Sequence, residues 1–158
     1  MMNNQNTIEL SVFVTSKLSG EKIAPVDHKE FQPKSISEQS PSVTIHRDKV
    51  KQEVLGFGGA FTEASASVYK QCPQEKKEEI IKAYFDSDSG HGYSFCRTHI
   101  NSCDFSLGNY AYCETNGDSK LNNFSIDHDK TMLIPFIKEA LKESTIPINI
   151  LPPPLSPP

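Results

Sequence analysis

A glycine-rich apolar run lies just past the first third of the chain, at residues 54–66, and reads VLGFGGAFTEASA. Its first half, residues 54–59, has the apolar and extended character of a buried strand. Its second half, residues 60–66, is rich in Ala and Ser, small residues that suit a helix packed closely on a strand. The run therefore predicts a strand, a tight turn and a helix in direct succession.

The glycines of this run invite comparison with a dinucleotide-binding turn, which also lies between a strand and a helix. Phe61 occupies the position where that fingerprint needs its third glycine. Close approach of the strand and helix backbones is the simpler role for Gly56, Gly58 and Gly59. We assign no nucleotide cofactor.

After the run at residues 54–66, the sequence predicts alternating helices and strands. Residues 73–85 predict an amphipathic helix, and residues 93–100 predict a strand. A further helix is predicted over residues 125–141, although Pro135 should kink or interrupt it. Residues 146–151 predict another short strand. Strands separated by helical crossovers call for a parallel sheet, so the fold class is α/β.

The two ends of the chain differ from this middle part. Residues 7–15 alternate apolar and polar side chains as in a half-buried strand, and residues 43–47 predict a second strand. Residues 16–41 contain three prolines and predict a loop. These strands should pair outside the parallel sheet. The last residues, 152–158, read PPPLSPP, a run expected neither to propagate a strand ladder nor to begin an ordinary helix.

Charge and composition exclude several classes of partner. The chain has 16 basic and 20 acidic residues, a net charge of −4 and no basic block. It therefore lacks the cluster of positive charge that binds nucleic acid or anionic membranes. No run is apolar for long enough to span a bilayer, and no signal-peptide pattern is present. The four cysteines form no CxxC pair and predict free thiols. The chain is expected to be cytoplasmic and to bind a neutral or small polar partner.

Metal-binding patterns in the sequence are incomplete. Asp86, Asp88 and Gly90 are similar to the opening of a calcium loop, but no Glu stands at its twelfth position and the glycine comes one place early. His91 and His99 do not have the spacings of a zinc site relative to the cysteines. We assign no metal ion.

An arginine stands among aromatic residues near the carboxyl end of the strand predicted at 93–100. The side chains that share this face are Tyr93, Phe95, Arg97 and His99. Asp104 follows where a strand-to-helix loop of a barrel would face an active site. Spacing alone leaves two alternatives open for Arg97 and Asp104, an ion pair that fixes the loop or a role in binding a ligand.

Three motifs in order resemble glycoside hydrolase family 30, most closely its glucosylceramidase branch. They are GFGGAFTEA at residues 56–64, SCDFS at 102–106 after Cys96 and Arg97, and NFS at 123–125 with the helix that follows. The similarity covers about residues 43–151. Either of the first two motifs alone would be moderately specific, and their ordered combination is specific.

The resemblance implies a (β/α)₈ TIM barrel with a side β-sandwich. Residues 49–158 would begin the barrel and supply its first three strands, and residues 1–48 would contribute strands to the accessory β-domain. It also implies a retaining mechanism on β-glucosides such as glucosylceramide, in which one glutamate is acid and base and another is the nucleophile. The family carries both glutamates on later barrel strands. We therefore expect the front part of such an enzyme, cut off before its catalytic residues and inactive alone.

The resemblance also implies roles for three residues of this chain. Asp104 corresponds to an aspartate that hydrogen-bonds glucose hydroxyls, Arg97 to an arginine that shapes the pocket, and Phe105 is expected to line it. Leu155 stands where the family has a sugar-contacting tryptophan, and the chain has no Trp. The alternative function is a non-catalytic carbohydrate-binding or interaction module that uses Asp104 and its polar neighbours without hydrolysis.

Overall fold

The computed structural model describes residues 11–26 and 43–155, which fall into two units divided between Val50 and Lys51. In the first unit, β1 (Val12–Val14) pairs antiparallel with β2 (Ala24–Val26) in a separate two-stranded sheet. This confirms pairing outside the parallel sheet for the first of the two predicted amino-terminal strands. Residues 7–10 of the predicted first strand lie outside the described residues.

Two expectations for this unit were wrong. The strand β2 lies inside the predicted loop 16–41, and residues 43–47 form no strand. Pro25, opposite Phe13, is tolerated because a strand paired on one side needs no second set of backbone donors. Val43 and Ile45 are almost fully exposed, so they lack the buried face that would hold a strand in place.

The second unit is built on a three-stranded parallel sheet in the order β3 (Ala60–Phe61), β4 (Phe95–Thr98) and β5 (Asn149–Leu151). Both pairs are parallel, and Ala60, Arg97 and Leu151 lie side by side across the sheet. The predicted adjacency and parallel direction of the three strands are confirmed.

The strand β3 begins later than the sequence predicts, at Ala60 instead of residue 54. Thr62 explains why residues 60 and 61 stay extended and do not enter the helix, because its hydroxyl accepts a hydrogen bond from Ser65 N at 3.1 Å and so holds the helix start at Glu63. The glycines before β3 still approach β4 closely. A Cβ on Gly58 would lie 2.2 Å from the carbonyl oxygen of Phe95, so only glycine fits there.

Four helices accompany the sheet in the described part of the chain. They are α1 (Glu63–Gln71), α2 (Gln74–Phe85), α3 (Asp127–Lys130) and α4 (Leu133–Glu143). The break between α3 and α4 confirms the predicted interruption. Pro135, in the first turn of α4, has no N–H for the carbonyl of Thr131, and Lys70 Nζ donates to that carbonyl at 3.4 Å instead.

The hydrophobic core lies between one face of the sheet and the helices. The ring of Phe61 stacks on Phe85 and meets Phe136 edge-on. Alternate strand residues point away from this core, and Leu151 is 56 % exposed. The opposite face of the parallel sheet is therefore uncovered within the described residues. None of the helices described is long and apolar enough to cross a bilayer.

The proline run continues the sheet contact beyond β5, contrary to expectation. Ile100 N donates to the carbonyl of Pro153 at 3.1 Å, and Ile100 forms an isolated parallel bridge with Pro154. Proline lacks the N–H of a ladder but keeps its carbonyl acceptor, so pairing from one side remains available.

Candidate functional site

The candidate site is a tight turn that follows the carboxyl end of β4 and carries Asp104 and Phe105. Ser106 N donates to the carbonyl of Cys103 at 2.9 Å, and Cys103 N donates to the hydroxyl of Ser106 at 3.0 Å. Asp104 is exposed and Phe105 is 53 % exposed. The turn therefore presents a carboxylate and an aromatic ring next to each other, both accessible to a ligand.

Arg97 lies on the uncovered face of the sheet, where its side chain is exposed. It forms no ion pair with Asp104, so the loop-fixing alternative is wrong for this structure. The lysine–carboxylate ion pairs among the described residues are Lys76–Glu79 and Lys130–Asp127, and the ring of His128 contacts the carboxylate of Glu63. Arg97 and Asp104 are thus separate charges, one on the sheet and one in the loop after it.

The amino-terminal end of α1 holds the turn at two points. Ala64 N donates to the carbonyl of Phe105 at 3.1 Å, and Leu107 N donates to Glu63 Oε2 at 2.8 Å. His128 Nε2, from α3, donates to Glu63 Oε1 at 2.5 Å. Glu63 is only 2 % exposed, and both of its oxygens are occupied by protein donors. It supports the turn and is closed off from solvent.

A second buried carboxylate, Asp129, anchors the far end of the same loop. The hydroxyl of Tyr110 donates to Asp129 Oδ1 at 2.7 Å, and the hydroxyl of Tyr112 donates to Oδ2. Burial, and then the hydrogen bond to Asp129, raises the pKa of both tyrosines well above the ordinary value. Both phenols are therefore neutral donors at ordinary pH, as the buried carboxylate requires.

The chain bends sharply between β4 and the turn. Asn101 has a φ of 63°, in the left-handed region that Asn tolerates better than most residues. Its carbonyl lies 2.6 Å from His99 Nδ1, and its side-chain oxygen accepts Tyr112 N at 2.9 Å. His99 is buried, so the bend is fixed from both sides and directs the turn away from the sheet.

The sequence pattern did not identify the supporting network of Glu63, Tyr110, Tyr112, His128 and Asp129. His128 and Glu63 are 65 positions apart, and Tyr110 and Asp129 are 19 apart. Local periodicity carries no information over such separations. The available signals were weak, namely an acidic residue within a specific motif at Glu63 and an acidic first helical turn at Asp129.

Related proteins match this chain over part of their length. The mouse lysosomal acid glucosylceramidase is 38% identical over 109 residues, which are 68% of this chain and 21% of that protein. Putative glucosylceramidase 4 of Caenorhabditis elegans is 35% identical over 135 residues, which are 85% of this chain and 25% of that protein. The chain thus spans about a fifth to a quarter of these relatives.

Solved structures share the fold. SrfJ from Salmonella typhimurium superimposes with a TM-score of 0.63 at 37% identity, covering 68% of this chain and 24% of SrfJ. The endo-β1,6-glucanase BT3312 superimposes with a TM-score of 0.75 at 24% identity, covering 94% of this chain and 30% of the glucanase. Residues 54–158 match the glycosyl hydrolase family 30 TIM-barrel domain. A parallel sheet, a turn after β4 that carries the SCDFS motif and a match over most of the chain lead to one conclusion: this chain belongs to glycosyl hydrolase family 30.

Proposed function

We propose that this chain supplies the sugar-binding edge of a retaining β-glucosidase site, with Asp104 as the group that accepts hydroxyls of a glucose ring. The observation that carries the proposal is the exposed carboxylate on an anchored turn at the carboxyl end of a parallel strand. In TIM barrels this end of the strands carries the active site. The proposal includes a complete (β/α)₈ barrel for the whole enzyme and a side β-sandwich that contains β1 and β2.

The side chains around the turn fit a sugar ligand. An ionised carboxylate can accept two hydroxyl donors at once, and charge-assisted bonds of this kind contribute about 1.5 to 3 kcal/mol each. The exposed ring of Phe105 offers an apolar surface beside the carboxylate. Arg97, on the uncovered sheet face, would shape the pocket from the barrel interior.

The bond-breaking step needs two carboxyl groups about 5 to 5.5 Å apart in a retaining enzyme. Glu63 and Asp129, the buried carboxylates of the described residues, do not meet this need because protein donors occupy all their oxygens. The proposal therefore assigns no catalytic residue to this chain. It assigns binding and orientation, with both catalytic glutamates supplied by later strands of the whole enzyme.

The proposed substrate is a β-glucoside of the glucosylceramide type. Two relatives named as glucosylceramidases share 35% to 38% of aligned residues with this chain, whereas the glucanase BT3312 shares 24%. A β-1,6-linked glucan is the competing substrate. Both share a β-linked glucose ring, which is the part that Asp104 would contact.

A full-length hybrid enzyme tests the proposal. In this hybrid enzyme, residues 54–151 of this chain replace the matching segment of the mouse lysosomal acid glucosylceramidase. We expect hydrolysis of an aryl β-glucoside and of glucosylceramide, with kcat/KM strongly dependent on Asp104. A folded hybrid that hydrolyses neither substrate would contradict the proposal. If such a protein still bound a β-glucoside, the non-catalytic carbohydrate-binding alternative would replace it.

A further inference from the structure

We infer that Glu63 is a positioning residue for the turn of Asp104 and Phe105, and that its buried carboxylate sets the affinity for the sugar without touching it. The inference rests on the proposed function of Asp104. Glu63 is 2 % exposed, and its oxygens accept from Leu107 N at 2.8 Å and His128 Nε2 at 2.5 Å. The carboxylate therefore contacts residues around the turn and neither Asp104 nor Phe105.

The first turn of α1 and the loop complete each other's hydrogen bonds. The first backbone N–H groups of a helix have no partner within the helix. Ala64 N finds one in the carbonyl of Phe105, at 3.1 Å. The carboxylate of Glu63, in the same helical turn, is stabilised by the positive end of the helix dipole while it accepts Leu107 N. The helix therefore holds the turn by hydrogen bonds to residues 105 and 107, on the carboxyl side of Asp104.

The other oxygen of Glu63 connects the turn to a third element. His128, on α3, donates to it and also stacks on the ring of Tyr110, with ring centroids 3.7 Å apart. Tyr110 in turn accepts Ser102 N through its backbone carbonyl at 3.0 Å. The buried side chain of Glu63 thus connects α1 to the loop through Leu107 and to α3 through His128.

Loss of the hydrogen bonds to Glu63 would leave the bond-breaking step unchanged. It would lower the fraction of molecules in which the turn has the conformation that binds the sugar. The apparent dissociation constant rises in inverse proportion to that fraction, so a fall to about one tenth raises it about tenfold. A sugar that does bind selects the ordered turn again. The expected signature is a raised KM with a nearly unchanged kcat.

The experiment uses the hybrid enzyme and a fluorogenic aryl β-glucoside. We expect Glu63→Ala to raise KM about tenfold and to change kcat by less than about twofold. Glu63→Gln should raise KM less than Glu63→Ala does, because its amide oxygen can still accept Leu107 N and its NH₂ group can still contact the His128 ring. Tyr69→Phe is the control. It removes a hydrogen bond from α1 to Glu139, far along the helix from the turn, and should lower Tm without raising KM.

A double-mutant cycle separates positioning from general destabilisation. In an Asp104→Ala background the carboxylate is gone and only Phe105 remains to be positioned, so Glu63→Ala should change KM by less than about twofold. An undiminished effect in that background, or an unchanged KM in the single variant, overturns the inference while the proposed function stands.

If Glu63→Ala does not fold, His128→Ala replaces it, because that side chain is 43% exposed and supplies one of the two bonds. A rise in KM of about threefold that disappears with Asp104→Ala supports the inference, and no rise overturns it. An inactive hybrid overturns the proposed function and this inference with it.

Discussion

Glu63 and Leu107 are 44 positions apart in the chain, yet the carboxylate of Glu63 accepts the backbone N–H of Leu107 at 2.8 Å. This bond joins the helix of the GFGGAFTEA motif to the loop of the SCDFS motif. The two motifs that mark the family in the sequence are thus in direct contact in the fold. One supports the turn, and the other carries the residue that we propose to bind the sugar.

Replacing Asp104 by Ala in the hybrid enzyme should lower kcat/KM by at least about tenfold, because charge-assisted bonds of about 1.5 to 3 kcal/mol are lost. Asp104→Asn should fall between Ala and the parent, since an amide keeps one acceptor but not the charge. Tm should change little, because Asp104 is exposed and has no ion pair with Arg97. Steady-state kinetics and thermal unfolding on the same samples check this, and a destabilised but kinetically normal Asp104→Ala would end the sugar-binding claim.

The 158-residue chain should show no β-glucosidase activity above background on an aryl glucoside. The covalent route needs a nucleophile and an acid/base, and in the proposed function both are supplied by later strands of the whole enzyme. The measurement is release of the aryl group over hours at high protein concentration. Turnover that disappears with a single Asp or Glu substitution in this chain would prove the expectation wrong.

Thr62→Ala should destabilise the chain by about 1 kcal/mol, because it removes the cap of α1 and leaves Ser65 N without its acceptor. For a chain of 158 residues the loss corresponds to a Tm lower by about 2 to 4 °C. Val68→Ala, at an exposed position of the same helix, is the matched control and should not lower Tm. Equal Tm values for Thr62→Ala and the parent would show that the cap does not stabilise the helix.

Alkaline pH should loosen the loop anchored at Asp129. The folded protein raises the pKa of Tyr110 and Tyr112 above the ordinary value of 10.0 because burial and the bond to Asp129 favour the neutral phenol. This stabilisation is fully present below about pH 10 and is lost as the pH rises above it, where the unfolded chain releases protons that the folded chain retains. Thermal unfolding from about pH 8 to pH 11 should show the decline.

The variant Tyr112→Phe provides the comparison for the pH series. It removes one of the two phenols bonded to Asp129 and should make the alkaline loss of Tm shallower than in the parent. Parallel curves for the two proteins would mean that other groups account for the decline, such as lysines or Tyr69, whose pKa is also raised by burial.

Local patterns in the sequence were sufficient for the order and type of most elements in the second unit. Helical periodicity located α2, the position of Pro135 explained the break before α4, and the apolar runs located β4 and β5. These features depend on neighbours within a few residues. The SCDFS motif also indicated Asp104 as a candidate site residue, because the motif is specific to the family and contains this aspartate.

Tertiary packing decided what those patterns could not. The cap at Thr62 kept Ala60 and Phe61 in β3 and out of the helix, and the carbonyl of Pro153 extended the sheet contact beyond β5 although proline lacks an N–H. Arg97 and Asp104 are close in sequence but unpaired, whereas Glu63 meets His128 across 65 positions. A periodic pattern records which faces are buried. It does not record which distant polar groups satisfy each other once buried, and those pairings are what hold the candidate site in place.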